Sequence, residues 1–415
     1  MAVNTNDPTI RQTNVAVLFG LQVDENTPLA LDPTLHAIPV EADSVTYGTP
    51  WTQEDSNEAT GSYVAGAPLI IGQSTPISFR FRIKGAGPNV VYSSTVKPPH
   101  HAVLQAAGWR GQFQAAIAAA VATAGTATSV TLAAGFPGVA RALLGSMLLI
   151  GAGTGAGSAA AVIEYSAGRV ATLADSFTPP LDATTSVSVP ASWTYAQTSP
   201  SDPASRLVDH PTASVAIYRD GTLANFTAVR GTISLEGSSA KPGYGTFNGT
   251  GIFAGRVDAA IPGNIVIASH SAPVLVQGAD VSQAALLNRR KCSLSAWSLD
   301  PGSQIENIDD PNTPFGFGPG QITDRKSMLK VNPLATLVAN RDTISDIGNG
   351  VRMPAMLRHG SVVGNRWALV VPLAQPVTLE AEQRGKLMAD GTTLQCLPNG
   401  KDAVTRDTDR VLVFY

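Results

Sequence analysis

The chain has 415 residues, of which 44% are hydrophobic and only 14% are charged, and its formal net charge at pH 7 is −3. This length allows two or three domains, and the hydrophobic content is too high for a disordered chain. Proteins that grip nucleic acid usually carry a basic stripe that neutralises phosphates, and no such stripe is visible. The 39 glycines and 29 prolines follow no period, so they indicate short strands and many turns.

The first block of the chain, residues 1–112, contains the clearest strand. In Ile77–Ile83 the apolar side chains alternate with Ser78, Arg80 and Arg82, which predicts a strand with one buried face. A short helix follows, with two prolines at its first turn and Gly108 at its C-terminal cap. Upstream, two further strands are predicted, and an acidic loop or hairpin follows the second of them. These segments are Asn14–Phe19, Ile38–Tyr47 and Thr49–Gly61.

The second block, residues 113–200, is rich in Ala, Gly and Thr and nearly uncharged. Five apolar runs, separated by turn residues such as Ser166–Gly168, predict β-hairpins. The block looks like a small β module found inserted in several phage virion proteins. An insertion at a surface loop costs little closure entropy, so we expect this module on the outside of an assembly.

The third block comprises residues 201–265, which complete the first domain, and residues 266–415, which form a second domain. Strands are predicted around the turn at Arg219-Asp-Gly221. A similar order follows Met356–Val363, where Trp367–Leu373 and Val377–Gln383 match the strands after the first turn. We therefore predict that one β domain occurs twice in this chain.

The order of these elements resembles that of the tail tube (major tail) protein of long-tailed bacteriophages. The resemblance rests on the strand Ile77–Ile83, the short helix ending at Gly108-Trp109, and the strands around Arg219–Gly221 that end in Gly231–Gly237. It implies a β-sandwich or barrel domain whose edge strands pair between copies. It also implies rings of six tube domains, which three copies would close if the domain is duplicated and six copies if it is not.

The resemblance further implies a virion protein of the tail, made in the cytoplasm of the host bacterium. Its expected partners are other copies of itself, a tape measure protein inside the lumen, and tail terminator and distal tail proteins at the ends. DNA would pass through the lumen without specific binding, past a smooth acidic wall that repels phosphate. The N-terminal arm Met1–Arg11 and the loop Thr49–Pro68 are the candidates for contact with the adjacent ring.

Two alternatives from other classes stay open. The first is a β-rich carbohydrate-binding or hydrolytic module of a phage fibre. The second is a nucleotide-binding enzyme, because Gly151, Gly153 and Ala156 satisfy a dinucleotide fingerprint after a strand, with Asp175 at the spacing of a ribose ligand. The absence of alternating strands and helices around this segment argues against the enzyme.

No residue pattern predicts catalysis, a cofactor or a metal. His100 and His101 point about 100° apart on a helix and cannot share a metal face, so we interpret them as solvated histidines of that helix. The acidic residues Asp300, Glu306, Asp309 and Asp310 lack the spacing of an EF-hand loop, and no Gly-x-Ser-x-Gly elbow occurs. We therefore expect a non-enzymatic protein.

The remaining sequence features concern the compartment. Cys292 and Cys396 lie in apolar runs far apart, and we interpret them as buried free thiols in a reducing cytoplasm. The first residues have neither the basic region nor the apolar region of a signal peptide. No apolar run reaches the length of a membrane span, so we expect no membrane partner.

Overall fold

The computed structural model describes residues 9–59, 61–64, 66–275 and 284–415, which form a mainly β protein. The predicted mainly β class is confirmed. The elements of the first block are β1 (Val15–Leu21), β2 (Ala37–Ile38), β3 (Thr46–Tyr47), β4 (Trp51–Glu54), β5 (Leu69–Gly72), β6 (Thr75–Arg82), α1 (His101–Ala106) and β7 (Trp109–Gln114).

The alternation in β6 has the predicted outcome. Ile77, Phe79 and Phe81 are buried, whereas Arg80 and Arg82 lie on the other face of the strand. Helix α1 begins at His101, so Pro98 and Pro99 precede its first turn and do not lie in it. At the other end Gly108 adopts a φ of +76°, which favours glycine after a helix.

The inserted module forms its own antiparallel sheet and its own buried core. The turn predicted at Ser166–Gly168 does connect two of its strands. The strands are β8 (Ile117–Val121), β9 (Ala124–Gly125), β10 (Ser129–Thr131), β11 (Met147–Ala152), β12 (Ala159–Tyr165), β13 (Val170–Leu173) and β14 (Ser186–Val189). On the side that faces away from the module's own core, β11 and β12 pack through Met147 and Ala161 against Met356 and Val370 of the main body.

The chain then returns to the main sheet. The next elements are β15 (Ser192–Gln197), α2 (Pro203–Asp209), β16 (Ala213–Arg219), β17 (Thr222–Ser238) and β18 (Tyr244–Asp258). Strand β15 lies within residues 113–200, but it pairs with β7 and with the last strand of the chain. Because Ser192 is paired with Gln114, the two ends of the module lie side by side on the main sheet.

The last part of the chain adds ten strands and one helix to the described structure. They are β19 (Ala285–Leu287), β20 (Arg290–Lys291), β21 (Leu294–Asp300), β22 (Ser303–Glu306), β23 (Gln321–Arg325), β24 (Met328–Pro333), α3 (Thr343–Gly348), β25 (Met353–His359), β26 (Trp367–Arg384), β27 (Leu387–Cys396) and β28 (Val411–Phe414). Helix α3 was not predicted, although its N-cap Asp342 accepts a hydrogen bond from the Ser345 N–H. The separate strands predicted after Trp367 are one long strand.

The two halves of the main sheet share one strand topology. In the first half the neighbouring strands are β1, β16, β17, β18 and β6, all antiparallel. In the second half they are β19, β25, β26, β27 and β24, again all antiparallel. Each half also contains a short helix at the same place in the chain order. Helix α1 lies between β6 and β16, and helix α3 lies between β24 and β25. We call these halves the first and second repeat.

The correspondence extends to single residues. Arg80, Thr246 and Ser234 are neighbours across three strands of the first repeat. Lys330, Thr393 and Thr378 form the same row in the second repeat. Two residues at matching positions of the repeats are called equivalent below.

The strand that pairs with the outer side of β6, which is β3, has the same place as β21, which pairs with the outer side of β24. Strand β3 pairs Thr46 with Ser78 of β6. Strand β21 pairs Asp300 with Met328 of β24, two residues before Lys330 just as Ser78 is two residues before Arg80. By this register, Val45 is equivalent to Leu299 and Ser44 to Ser298.

The repeats differ at the turn that suggested the duplication. Strands β16 and β17 are joined by a two-residue turn in which Asp220 and Gly221 both have positive φ angles, +40° and +99°. Such a turn matches the twist of a hairpin. In the second repeat β25 ends at His359, and residues 360–366 form a longer connection to Trp367. The similarity therefore lies in the strand order more than in the turn.

Candidate self-association surface

The two repeats are joined by pairing between β17 and β21. Leu235 of β17 has Gly245 of β18 on one side and Leu299 of β21 on the other. Two residues further along β17, Gly237 pairs with Trp297, and a Cβ on this glycine would lie 2.6 Å from the indole Nε1. The junction is thus a short stretch of antiparallel sheet whose side chains fit closely.

The equivalent part of β26 has a neighbour on only one side. Ala374 pairs with both Met353 of β25 and Cys396 of β27, so these two strands lie on opposite sides of β26. Beyond Ala374 the pairing with β27 continues to Arg384, whereas no described strand follows β25 on the other side. The segment Leu379–Arg384 therefore presents a free edge, with N–H and C=O groups available for another strand.

Burial along the two strands reflects this difference. Leu235 is 1% exposed and Gly237 is buried, because β21 covers them. The equivalent residues of β26 are Leu379, which is only half-buried, and Ala381, which is exposed. Among the residues that the structure describes, the second repeat thus lacks the neighbouring strand that the first repeat has.

The opposite edge of the sheet is formed by β3, which pairs with β6 on one side only. Gly48 N–H donates to Pro76 O at 2.9 Å, so the alternation of antiparallel bonding turns the N–H and C=O of Tyr47 and Val45 away from β6. The Arg219 guanidinium donates to Val45 O at 2.6 Å, and residues Ala42–Ser44 form a 3₁₀ turn. Both features shield this edge in the isolated chain, as is common for edge strands.

The face opposite the apolar core is polar across the junction, and we call it the polar face. A concave cleft of about 530 Å³ lies on it, lined by Arg80, Glu236, Tyr244, Ser298, Lys330 and Glu382 among others. Arg80 pairs with Glu236 and Glu41, and Lys330 lies 3.6 Å from Glu382. Because these charges are partly exposed, their pairing contributes little stability. Its effect is a face where cations and carboxylates neutralise each other.

The acidic wall that the resemblance implies is not evident on this face. Arg80 and Lys330 occupy equivalent positions, as do Glu236 and Glu380, so each repeat sets a cation beside an acid. The alternation is therefore a repeated feature of the sheet. It leaves no basic stripe that would hold phosphate.

The two adjacent histidines are separately buried by aromatic neighbours. His100 stacks on Phe81 with ring centroids 4.1 Å apart, and its Nε2 lies 2.9 Å from Pro39 O. Burial lowers the pKa of His100 to about 4 and that of His101 to about 3. His101 Nδ1 lies 2.8 Å from the Tyr195 hydroxyl. Both imidazoles are neutral at pH 7 and hold α1 against the sheet, so the prediction of solvated helix histidines is wrong.

The structure does not place the dinucleotide fingerprint in a nucleotide-binding context. Gly151, Gly153 and Ala156 lie at the end of β11 and in the loop to β12, and these strands are antiparallel neighbours. A dinucleotide fold requires a helix whose N-terminus follows this loop. Asp175 is buried in the module, and burial raises its pKa.

The other side chains weighed for chemistry lie apart from one another. Asp300 ends β21 and Glu306 ends β22, whereas Asp309 and Asp310 lie in the loop that follows. Both cysteines are free thiols, half-buried Cys292 and buried Cys396, and burial raises their pKa values to about 11 and about 12. Within the described ranges no three His, Cys, Asp or Glu side chains are grouped as metal ligands.

Sequence reasoning missed the residues that now matter most, which are Leu379–Glu382 of the free edge and Arg219 opposite Val45. A strand edge has no composition of its own, because it is defined by the absence of a neighbour. The detectable signal is a long alternating strand, Val377–Gln383, whose apolar positions are not covered by any described part of the chain.

Among the helices of the described residues, none has the length and apolar character needed to cross a membrane. No model of a known protein family matches the chain, and no curated protein matches its sequence.

Proposed function

We propose that this chain is the structural subunit of a phage-type tail tube. Its copies pair edge to edge into closed rings, and the rings stack around a conduit for DNA. The observation that carries this proposal is the repeat of the junction. The edge of β17 that receives β21 inside the chain recurs on β26, where no described strand pairs with it.

Equivalence between the repeats specifies the pairing between copies. Inside the chain Leu235 pairs with Leu299 and Glu236 with Ser298. Leu379 is equivalent to Leu235, and Val45 is equivalent to Leu299. Leu379 of one copy therefore pairs with Val45 of the next, and Glu380 with Ser44. Edges that are otherwise exposed are removed when the ring closes.

Assembly requires a local rearrangement on the β3 side. The 3₁₀ turn Ala42–Ser44 must extend to continue β3, and the Arg219 side chain must release Val45 O. These two contacts shield the edge until the free strand of another copy replaces them. Such shielding delays uncontrolled association of the isolated chain.

The ring implied by the resemblance has six tube domains, so a chain with two repeats closes it with three copies. The polar face then lines the lumen, and its neutralised charges let DNA pass without strong binding. The inserted module packs on Met356 and Val370 of the second repeat, which do not line the cleft of the polar face, so we expect it outside the ring. The tape measure, tail terminator and distal tail proteins remain the expected partners inside and at the ends, in the virion tail.

The test uses a proline on the free edge. Ala381→Pro removes an N–H that points away from β27 and leaves the strand's internal pairing intact, because proline is tolerated on edge strands. Ala381→Val is the matched control, because it keeps the N–H. We expect the wild-type and Ala381→Val chains to form rings or tubes in negative-stain images, and Ala381→Pro to remain monomeric with an unchanged circular dichroism spectrum.

Two results would contradict the proposal. If the wild-type chain stays monodisperse at all concentrations and binds glycans, the fibre module is the better interpretation. If Ala381→Pro assembles as well as Ala381→Val, the copies associate through another surface.

A further inference from the structure

A hairpin interrupts the connection to β6 or β24 in both repeats, and the two hairpins are equivalent in register. In the first repeat Gly48 N–H donates to Pro76 O, and Trp51 of β4 pairs with Gly72 of β5. In the second repeat Gly302 O accepts from Lys326 N–H, and Ile305 of β22 pairs with Ile322 of β23. Ile70 and Gly320 are equivalent, each lying two residues before Gly72 or Ile322.

The β22–β23 hairpin does not stay on its own repeat but lies across the first. Arg230 Nη1 donates to Gly320 O at 3.0 Å, and Thr250 Oγ1 donates to Asn307 Oδ1 at 3.1 Å. The Ile322 side chain reaches Gly108 at the end of α1. The β22–β23 hairpin of the second repeat thus binds a surface of the first repeat that is made by Arg230, Thr250 and Gly108. We call this hairpin-binding surface the seat.

The β4–β5 hairpin has no such seat within the described chain. Trp51 is 49% exposed, Leu69 62% and Ile70 60%, although the Trp51 ring touches Phe315 from the neighbouring hairpin at 5.0 Å. The two strands of this hairpin carry one charge, Glu54, and the acids Asp55 and Glu58 lie in its loop. Large exposed apolar groups of this kind mark a surface that contacts a partner.

The second repeat has an equivalent seat, and no described hairpin covers it. Leu373 and Leu397 occupy the places of Arg230 and Thr250, and they are joined by a hydrogen bond from Leu397 N–H to Leu373 O at 2.8 Å. Both leucines are half-buried. Gly350, with a φ of +60°, follows α3 as Gly108 follows α1. The seat is apolar where that of the first repeat is polar, and the hairpin available to it is likewise apolar.

We propose that the β4–β5 hairpin of one copy lies across the second repeat of a neighbouring copy in the same ring, over Leu373 and Leu397. This contact rests on the proposed ring and adds a second lateral contact beside the paired strands. It gives the hairpin strands a partner within the ring, a role distinct from the contact with the adjacent ring expected for the loop Thr49–Pro68.

A designed cross-link tests this placement. The variant Ile70→Cys with Leu373→Cys is assembled, treated with a short bis-maleimide, and run on a denaturing gel; a cross-linker is needed because the equivalent residues Gly320 and Arg230 meet through the full length of an arginine side chain. The native thiols serve as an internal control, because burial keeps them unreactive at neutral pH. The matched control is Val139→Cys with Leu373→Cys, because Val139 is also 60% exposed but lies on the inserted module.

We expect covalent dimers and trimers from Ile70→Cys with Leu373→Cys, and none from the control. Rings that form normally but give no covalent species would overturn the hairpin contact and leave the proposed function standing. If neither variant nor wild type forms rings, the proposed function fails first, and the hairpin contact with it. Ile70→Asp gives a second reading, since it should weaken rings relative to Val139→Asp without altering the fold of the monomer.

Discussion

Leu235 and Leu379 occupy the same position in two repeats of one sheet, yet only Leu235 has a strand on both sides. Leu235 lies between Gly245 and Leu299 and is buried, whereas Leu379 pairs with Thr392 alone and is half-buried. Because no described strand of the second repeat takes the place of β21, the edge of β26 can template association with another copy. What β21 does for the first repeat, a strand of another copy can do for the second.

The lining of the conduit can be tested by adding positive charge to the polar face. Thr246 and Thr393 are equivalent residues on this face, and Lys at both adds two cations per chain. We expect assembled tubes of Thr246→Lys with Thr393→Lys to retain DNA at low salt and to release it as salt rises, because phosphate binding displaces counterions.

The matched control places the same charge outside. Val139→Lys with Val170→Lys adds two cations to exposed positions of the inserted module. A filter-binding assay with DNA entering from the tube ends, compared with wild-type tubes, reports retention. Equal retention by both variants would argue that the polar face does not line the lumen.

Removal of the inserted module should lower the melting temperature of the chain without preventing ring formation. Because Ser192 pairs with Gln114, residues 116–190 can be replaced by a two-residue turn that joins β7 to β15. We expect a lower melting temperature, because Met356, Val370 and Val413 lose their cover and each such side chain contributes about 1.5–3 kcal/mol when buried.

Ring formation should survive this deletion, because the module packs on Met356, Ala368 and Val370, which belong neither to β3 nor to the free edge of β26. The measurement is thermal unfolding by differential scanning fluorimetry beside negative-stain imaging. Loss of rings by a chain that still folds would show that the module takes part in assembly.

The buried His100 predicts a specific dependence of stability on pH. Burial lowers its folded-state pKa to about 4, below the ordinary value of 6.5, so the unfolded chain binds the proton more readily. The stabilisation is complete above pH 6.5 and is lost as pH falls toward 4. The expected contribution of His100 to the slope is about 1.4 kcal/mol per pH unit in this window, and the buried His101, His210 and His359 add to the slope in the same direction.

His100→Phe keeps an aromatic ring against Phe81 but cannot be protonated. Urea unfolding at pH 7 and pH 5 should give a smaller loss of unfolding free energy for this variant than for wild type. The same slope in both chains would contradict a neutral, buried His100.

The local features of the fold follow from the sequence, because neighbouring residues determine them. The alternation around Phe79 and Phe81 predicts β6, and Gly108 predicts the end of α1. Asp220-Gly221 predicts a tight hairpin because both positions need positive φ angles. The module hairpin at Ser166–Gly168 has the same origin.

The long-range features do not follow from the sequence. Strand β15 pairs with β28, more than 200 residues away, and no local pattern encodes that choice. The duplication is faint in the residues, since Arg80 and Lys330 or Ser234 and Thr378 are similar but not identical. It becomes clear only when the strand neighbours are compared. The free edge of β26 is likewise visible only once every other partner has been placed.

The most direct test of the account is an electron cryomicroscopy reconstruction of one assembled ring. It should contain three chains, with Leu379–Glu382 of each chain paired antiparallel to the extended segment Ala42–Val45 of the next. A ring of six chains, or one in which the β26 edge remains unpaired, would contradict the account.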